Sequence, residues 1–327
     1  MTPARLVAAA LAAAALGVLA SCTSSTAATE AGAGAESTGA QPLTVTTSFY
    51  PLEFVVQQVA GERAHVTSLT RPGAEPHEVE LSARQVVGLR KADLFVYESG
   101  FQPAVDDAMD LLERKRVLDV TPVADLTPAA DLTLGSGTGE NTQGVGGHAH
   151  DHDHAMDPHF WLDPERYATV AEAIGTRLSQ LDPAHEADYA AGTRTFVHRL
   201  DTLDKEFRAG LAHCALTDLV TSHAAFGYLA HRYGLVQHGI TGLNPEAEPS
   251  AGALADLAHL VRTDGVTTIY RETLVEPHYA QVIAAETGAR VAVLDPVEGI
   301  TSTSAGSDYF AVMRANLATL EQGQECS

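Results

Sequence analysis

Short β-branched runs alternate with helical patterns twice over, on either side of one long helical stretch, and this alternation restricts the chain to few architectures. The first set comprises LTVTT (43–47), HVTSL (65–69), DLFVY (93–97) and RVLDV (116–120). The second comprises TDLVTS (217–222), LVQHG (235–239), VTTIYRE (266–272) and VAVLD (291–295). Amphipathic segments fall between several of them, such as 82–92 with Ser82 as N-cap, and others near 224–233, 250–263 and 277–287. Strand, helix, strand order implies parallel sheets with right-handed crossovers. In the stretch 184–212, Phe196, Leu200, Leu203 and Phe207 recur at spacings of three and four and mark one buried stripe. A second helix opens at Asp163-Pro164, an N-cap followed by proline at the first helical position. The fold class expected is therefore α/β, with two lobes, each on a parallel sheet flanked by helices, joined by a helix. A length of 327 residues accommodates two domains.

The ends and one internal stretch stand apart from this pattern. Residues 1–21 place Arg5 before an apolar run that ends in small residues, which reads as a signal peptide rather than a membrane span. The ending LASC is similar to a bacterial lipobox, implying lipidation at Cys22 and a flexible tether over 22–42. Residues 131–156 are rich in Gly and His and carry no periodicity, so they are expected to form a mobile loop. The expected divisions are a first lobe over 43–162, helices including the linker over 163–213, and a second lobe over 214–327. Apart from Cys22, the cysteines are Cys214 and Cys326, which either make one bridge or remain free thiols; an oxidising extracytoplasmic setting favours the bridge. The formal charge of −22 argues against nucleic acid as a partner.

Chemistry concentrates where strands end or helices begin, the edge at which open α/β sheets present ligand groups. His77 lies in RPGAEPHEVELSARQ, His159 in DPHFWLDP, His223 closes LVTSH, and Asp295 closes VAVLD. Three imidazoles and one carboxylate suit a tetrahedral Zn2+ site. Spacing alone leaves His223 open as a hydrogen-bonded core residue and Asp295 as a turn former before proline. Glu75 and Glu78 flank His77 and are placed to orient its ring. Phe49 and Tyr50 are expected to line the first lobe's side of a cleft. His148, His150, His152 and His154 alternate with small or acidic residues and can chelate Zn2+ weakly, because ordering a flexible segment costs roughly 1–2 kcal/mol per residue. The remaining histidines are assigned to surface or packing.

In combination these segments resemble the substrate-binding lipoproteins of ABC importers for zinc and manganese, the ZnuA-type or TroA-like family, over nearly all of residues 43–326. PGAEPHEVELSARQ, DPHFWLDP, TSHAAFGYLAHRYGL and ETLVEPHYAQVIAAETGARVAVLDPVEG carry the resemblance in order. It implies two lobes, each with a four-stranded parallel sheet, one long rigid helix between them, and metal bound in the cleft by His77, His159, His223 and Asp295. It also implies a membrane-anchored, monomeric, non-enzymatic receptor on the outer face of the membrane, with an ABC-type permease as partner and, at family level, an association with cell adhesion. His223 stands where manganese members usually carry Glu, which favours zinc as the transported ion. LNPEAEPS (243–250) resembles a segment that lines the cleft, and the Cys214–Cys326 pairing matches some relatives by position.

Two alternatives follow from the same residues. One is a manganese or iron receptor of the same family. The other is a secreted zinc hydrolase, against which PHEVEL has Leu81 where a zinc-binding H-E-x-x-H helix needs its second histidine.

Overall fold

The computed structural model describes residues 41–133 and 155–327, so Cys22 and His148, His150, His152 and His154 lie outside the described residues. Gln41–Ser327 is one compact unit. Its first lobe runs β1 (Leu43–Thr47), α1 (Tyr50–Ala60), β2 (Ala64–Ser68), α2 (Ala83–Leu89), β3 (Leu94–Tyr97), α3 (Pro103–Ala108) and β4 (Val117–Asp119), followed by the short α4 (Thr121–Ala124) and α5 (Ala129–Thr133). Two helices come next, α6 (Pro164–Leu181) and α7 (Glu186–Gly210). The second lobe is β5 (Asp218–Thr221), α8 (Gly227–Tyr233), β6 (Val236–Gly239), α9 (Ala251–Thr263), β7 (Thr268–Arg271), α10 (His278–Thr287), β8 (Arg290–Val293) and α11 (Tyr309–Gly323).

All pairings are parallel, in the orders β2-β1-β3-β4 and β6-β5-β7-β8. In each sheet the chain reverses its direction of travel between the first and third strands of the lobe, the point where such sheets open a crevice at their carboxyl edge. The expected strands form with ends displaced by up to two residues, and Ser82 closes a capping box with Gln85 at the start of α2.

The 25-residue α7, about 37 Å long at 1.5 Å per residue, is the spine on which both lobes rest. Its Phe196 packs against Phe54 of α1, Tyr167 of α6 and Phe310 of α11 at centroid distances of 6.0, 5.3 and 5.6 Å. One apolar core therefore runs from Val45 in the first sheet to Leu320 in the last helix. The approach of α1 to α7 is close enough that a Cβ on Gly192 would stand 2.3 Å from the Val59 carbonyl oxygen. From α8, Arg232 bonds Asp204 of α7 at 2.6 Å and pairs with Asp163, the N-cap of α6, at 3.2 Å, which ties the second lobe to both helices. No helix among the described residues is long and apolar enough to cross a membrane.

Cys214, just after α7, is joined to Cys326, just after α11, across 112 residues. Gln324 supports the same junction by accepting from Tyr270 Oη at 2.9 Å and donating to the Asp218 carbonyl at 3.1 Å. Chain entropy over a loop of that length makes the bridge worth about 2–5 kcal/mol. A Cys214→Ser/Cys326→Ser variant is expected to lose stability in that range in denaturant unfolding, with its circular dichroism spectrum unchanged. An unaltered midpoint would mean that Gln324 and α11 hold the terminus without the bridge.

Candidate metal centre

Four loops converge between the lobes. His77 sits in the connection between β2 and α2, His159 precedes the turn Phe160–Leu162 that leads into α6, His223 follows β5, and Glu298 follows β8. Their ligating atoms all lie within 4.8 Å of one another. A single oxygen organises the group: Glu298 Oε1 is 3.2 Å from His77 Nε2, 3.1 Å from His159 Nε2 and 3.5 Å from His223 Nε2. His159 and His223 are fully buried, Glu298 is 2% exposed, and the His77 side chain remains 10% exposed.

A second carboxylate grips each buried imidazole from behind. Asp157 Oδ1 accepts from both the backbone N–H of His159 (2.9 Å) and its Nδ1 (2.7 Å). Glu272 holds His223 in the same way, through the backbone N–H at 3.0 Å and Nδ1 at 2.7 Å. With Nδ1 committed as donor, each ring must present Nε2 to the centre, the orientation a metal ion requires. His77 is fixed less firmly, through its backbone N–H to Glu75 Oε1 at 3.1 Å. Asn244, in the 243–250 segment, reaches Glu78 across the cleft at 3.3 Å.

The charges follow this geometry. Burial pushes the Glu298 carboxyl up, but its bonds to His159, His223 and His77 outweigh burial and hold it well below the usual range. Burial lowers His159 and His223, but Asp157 for the one and Glu272 with Glu298 for the other reverse the direction and raise both. At His77 burial prevails over Glu298 and lowers the imidazole. Burial and repulsion from Glu298 raise Glu75 to about 7.

The fourth position differs from the expectation. Asp295, expected as a ligand, lies outside the group of candidate ligands that converges here, and Glu298 completes that group. Both Asp295 oxygens are engaged within the second lobe: Oδ1 accepts from Val297 N–H of its own loop at 2.8 Å and Oδ2 from Thr273 Oγ1, beyond β7, at 3.1 Å. Asn316 clamps the Asp295 backbone from both sides, at 3.0 and 2.7 Å. Thus held, the chain turns through Val297 at φ 59°, a left-handed conformation costly for a β-branched residue, and delivers Glu298 to the cluster. The Trp161 indole donates to the Pro296 carbonyl at 2.7 Å, coupling this loop to the segment that bears His159. Phe49 does not line the cleft; it is fully buried against Phe101 and Trp161 behind it.

Two four-stranded α/β lobes on one long helix, with three imidazoles and a carboxylate converging between them, define a two-lobed binding protein of the TroA-like class. The zinc-uptake complex component A (ZnuA, periplasmic) family matches residues 45–323, and the chain belongs to that family. The zinc-binding lipoprotein AdcA of Streptococcus pneumoniae (strain ATCC BAA-255 / R6) is 37% identical over 284 residues, covering 86% of this chain and 55% of AdcA. The chain thus spans about half the length of that relative. The high-affinity zinc uptake system protein ZnuA of Bacillus subtilis (strain 168) is 30% identical over 282 residues, covering 85% of this chain and 86% of that protein. Among solved structures, the Zn(II)-bound ZnuA-like domain of S. pneumoniae AdcA superposes with a TM-score of 0.70 at 35% identity, covering 87% of this chain and 99% of that one.

The arrangement ranks the carboxylates by substitution. Asp157→Asn and Glu272→Gln are each expected to weaken divalent-cation binding by about 10–100-fold, measured by chelator competition. Glu298→Gln should cost more than either. Asp295→Asn, which keeps the acceptor for Val297 N–H, should cost less; a larger loss there than in Glu298→Gln would return Asp295 to the ligand set.

Proposed function

We propose that this chain captures Zn2+ in the inter-lobe cleft and delivers it to an ABC-type permease, acting as an extracytoplasmic, monomeric receptor tethered by lipid at Cys22. The observation that carries this reading is the convergence of His77, His159 and His223 Nε2 on one Glu298 oxygen. An ion placed among these groups receives three neutral nitrogens and one anionic oxygen, a donor set and count suited to tetrahedral Zn2+. The names of the AdcA and ZnuA relatives support the same ion.

Ligand number separates this reading from the hydrolase. A catalytic zinc keeps three protein ligands and an open position for water, whereas four protein ligands close the coordination sphere. Ligand type separates it from the manganese or iron receptor, because a third imidazole in place of a carboxylate favours the softer ion. His148, His150, His152 and His154 act as a weak accessory collector, outside the set that holds the transported ion. In this reading Asp157 and Glu272 keep the buried rings aimed whether or not the ion is present. Little reorganisation then opposes binding.

Isothermal titration of the chelator-stripped protein is expected to show one tight Zn2+ site that outcompetes Mn2+. Saturation to a thousandfold excess over Kd should stabilise the fold by about 4 kcal/mol, visible as a raised Tm. His159→Ala should lose tight binding and that thermal shift together. A shortened 140–154 segment should lose only weak extra binding. Full affinity in His159→Ala, or turnover of a peptide or ester by the zinc form, would sink the assignment.

A further inference from the structure

Three chain segments distant in sequence meet at one hydroxyl group. Tyr228 lies in the first turn of α8, shortly after His223, and is 2% exposed. Its Oη accepts from the Thr127 backbone N–H at 2.8 Å and donates to the Asp157 carbonyl at 2.9 Å. Thr127 and Asp157 are themselves joined, Asp157 N–H to the Thr127 carbonyl at 3.0 Å. Arg166 fixes the same junction, with its guanidinium carbon 4.6 Å from the Tyr228 ring centroid and its Nη2 donating to Thr127 Oγ1 at 3.2 Å.

The start of α8 closes on Asp157 from a second side. A Cβ on Gly227 would stand 2.7 Å from Asp157 Oδ2 and 3.1 Å from the Leu132 side chain, so glycine is what lets the helix come this near. The carboxylate confined there is the one that accepts from His159, through its backbone N–H and its Nδ1. The chain enters the same helix directly from His223, whose Nε2 lies 3.3 Å from that of His159. One short helix thus governs both buried rings, His223 by chain continuity and His159 by way of Asp157.

We infer that Tyr228 is a positioning residue for the metal centre: its hydroxyl anchors Asp157 to α8 and, through Asp157, sets where His159 Nε2 stands relative to His223 Nε2. For ion affinity this rests on the reading of the cleft as the Zn2+ site, whereas the effect on the His159 ring needs no ion. A hydroxyl that merely stapled Thr127 to Asp157 would leave the His159 ring unmoved. It would also contribute the same amount with or without the Asp157 carboxylate, since its own bonds go to the backbone. Groups that act as one chain of support are instead non-additive when removed together.

The first readout is the magnetic resonance of the chelator-stripped full chain carrying 15N-labelled histidine. The Nδ1–H signal of His159, held by Asp157, is expected to shift in Tyr228→Phe, and that of His223, held by Glu272, to stay in place. Tyr233→Phe, which removes a hydroxyl of the same helix that bonds Asp204, should move neither. Gly227→Ala, which presses on Asp157 Oδ2 directly, should reproduce the His159 shift. In chelator competition, Tyr228→Phe should bind Zn2+ about tenfold more weakly, the lower end of what losing the support of a ligating histidine costs. In an Asp157→Ala background the same substitution should add less than about a twofold loss. An unmoved His159 signal in Tyr228→Phe overturns the inference, as does equal displacement of the His159 and His223 signals, or a full tenfold loss in the Asp157→Ala background. Absence of tight Zn2+ binding in the unmodified chain rejects the reading of the cleft, and the two imidazole signals then decide the role of Tyr228 alone. Should Tyr228→Phe fail to fold, an unmoved His159 signal in Gly227→Ala is sufficient to reject it.

Discussion

Three imidazole nitrogens gathered around one buried carboxylate oxygen impose the central constraint on this fold. Glu298 and the rings it meets are almost wholly removed from water, and charged or polar groups so placed are tolerable only when every partner is in position. None of the four residues is adjacent to another in sequence. The fold must therefore deliver four separate loops to one point and keep them there. Parallel sheets do this economically, because all their strands release the chain at the same edge. Two sheets that face each other at those edges supply ligands from both sides of a cleft.

Holding the two edges in register is the work of the helical spine and its cross-links. The backbones of α1 and α7 touch at Gly192, Phe196 gathers aromatic rings from three other helices, and Arg232 ties α8 to the carboxylates of Asp163 and Asp204. The bond from Trp161 to Pro296 carries that rigidity into the site, since it lies two residues beyond His159 and two before Glu298. An apolar core that passes continuously from one lobe to the other resists wide opening.

Much of this was legible in the sequence, and the exceptions have physical causes. Alternating strands and helices, the Ser82 and Asp163 caps and the apolar stripe of α7 are local signals, and local signals survive into the fold. His77, His159 and His223 stood out because each follows a strand or opens a helix. Glu298 did not, because its position depends on a left-handed turn at Val297, a conformation that valine's side chain disfavours and no pattern announces. Asp295 drew attention because it closes VAVLD at the sheet edge, and its carboxylate braces that turn through the Val297 N–H. Glu272 was equally hidden, since it stands 49 residues from the histidine it orients. The disulfide, by contrast, required only a count of cysteines and an oxidising setting.

The two sheet edges share the bond that Asp295 makes to Thr273. The counterpart of Asp295 in the first lobe, Thr121, makes the equivalent bond to Ser99 with no ligand cluster to serve. A crosslink between the third and fourth strand ends is therefore common to both lobes. What distinguishes the second lobe is a His–Glu pair at the switch between β5 and β7, and a fourth-strand loop long enough to reach the centre. The first lobe keeps the carboxylate of that pair as Glu98 but spends the other position on Phe49, which seals the core beneath Trp161. Its contribution to the cleft comes instead from His77, on a loop braced by Glu75 and still partly exposed. The site is thus built unevenly, with two rings locked by buried carboxylates and a third held mainly through its backbone. Of the three imidazoles, His77 alone has no carboxylate bonded at Nδ1 among the described residues.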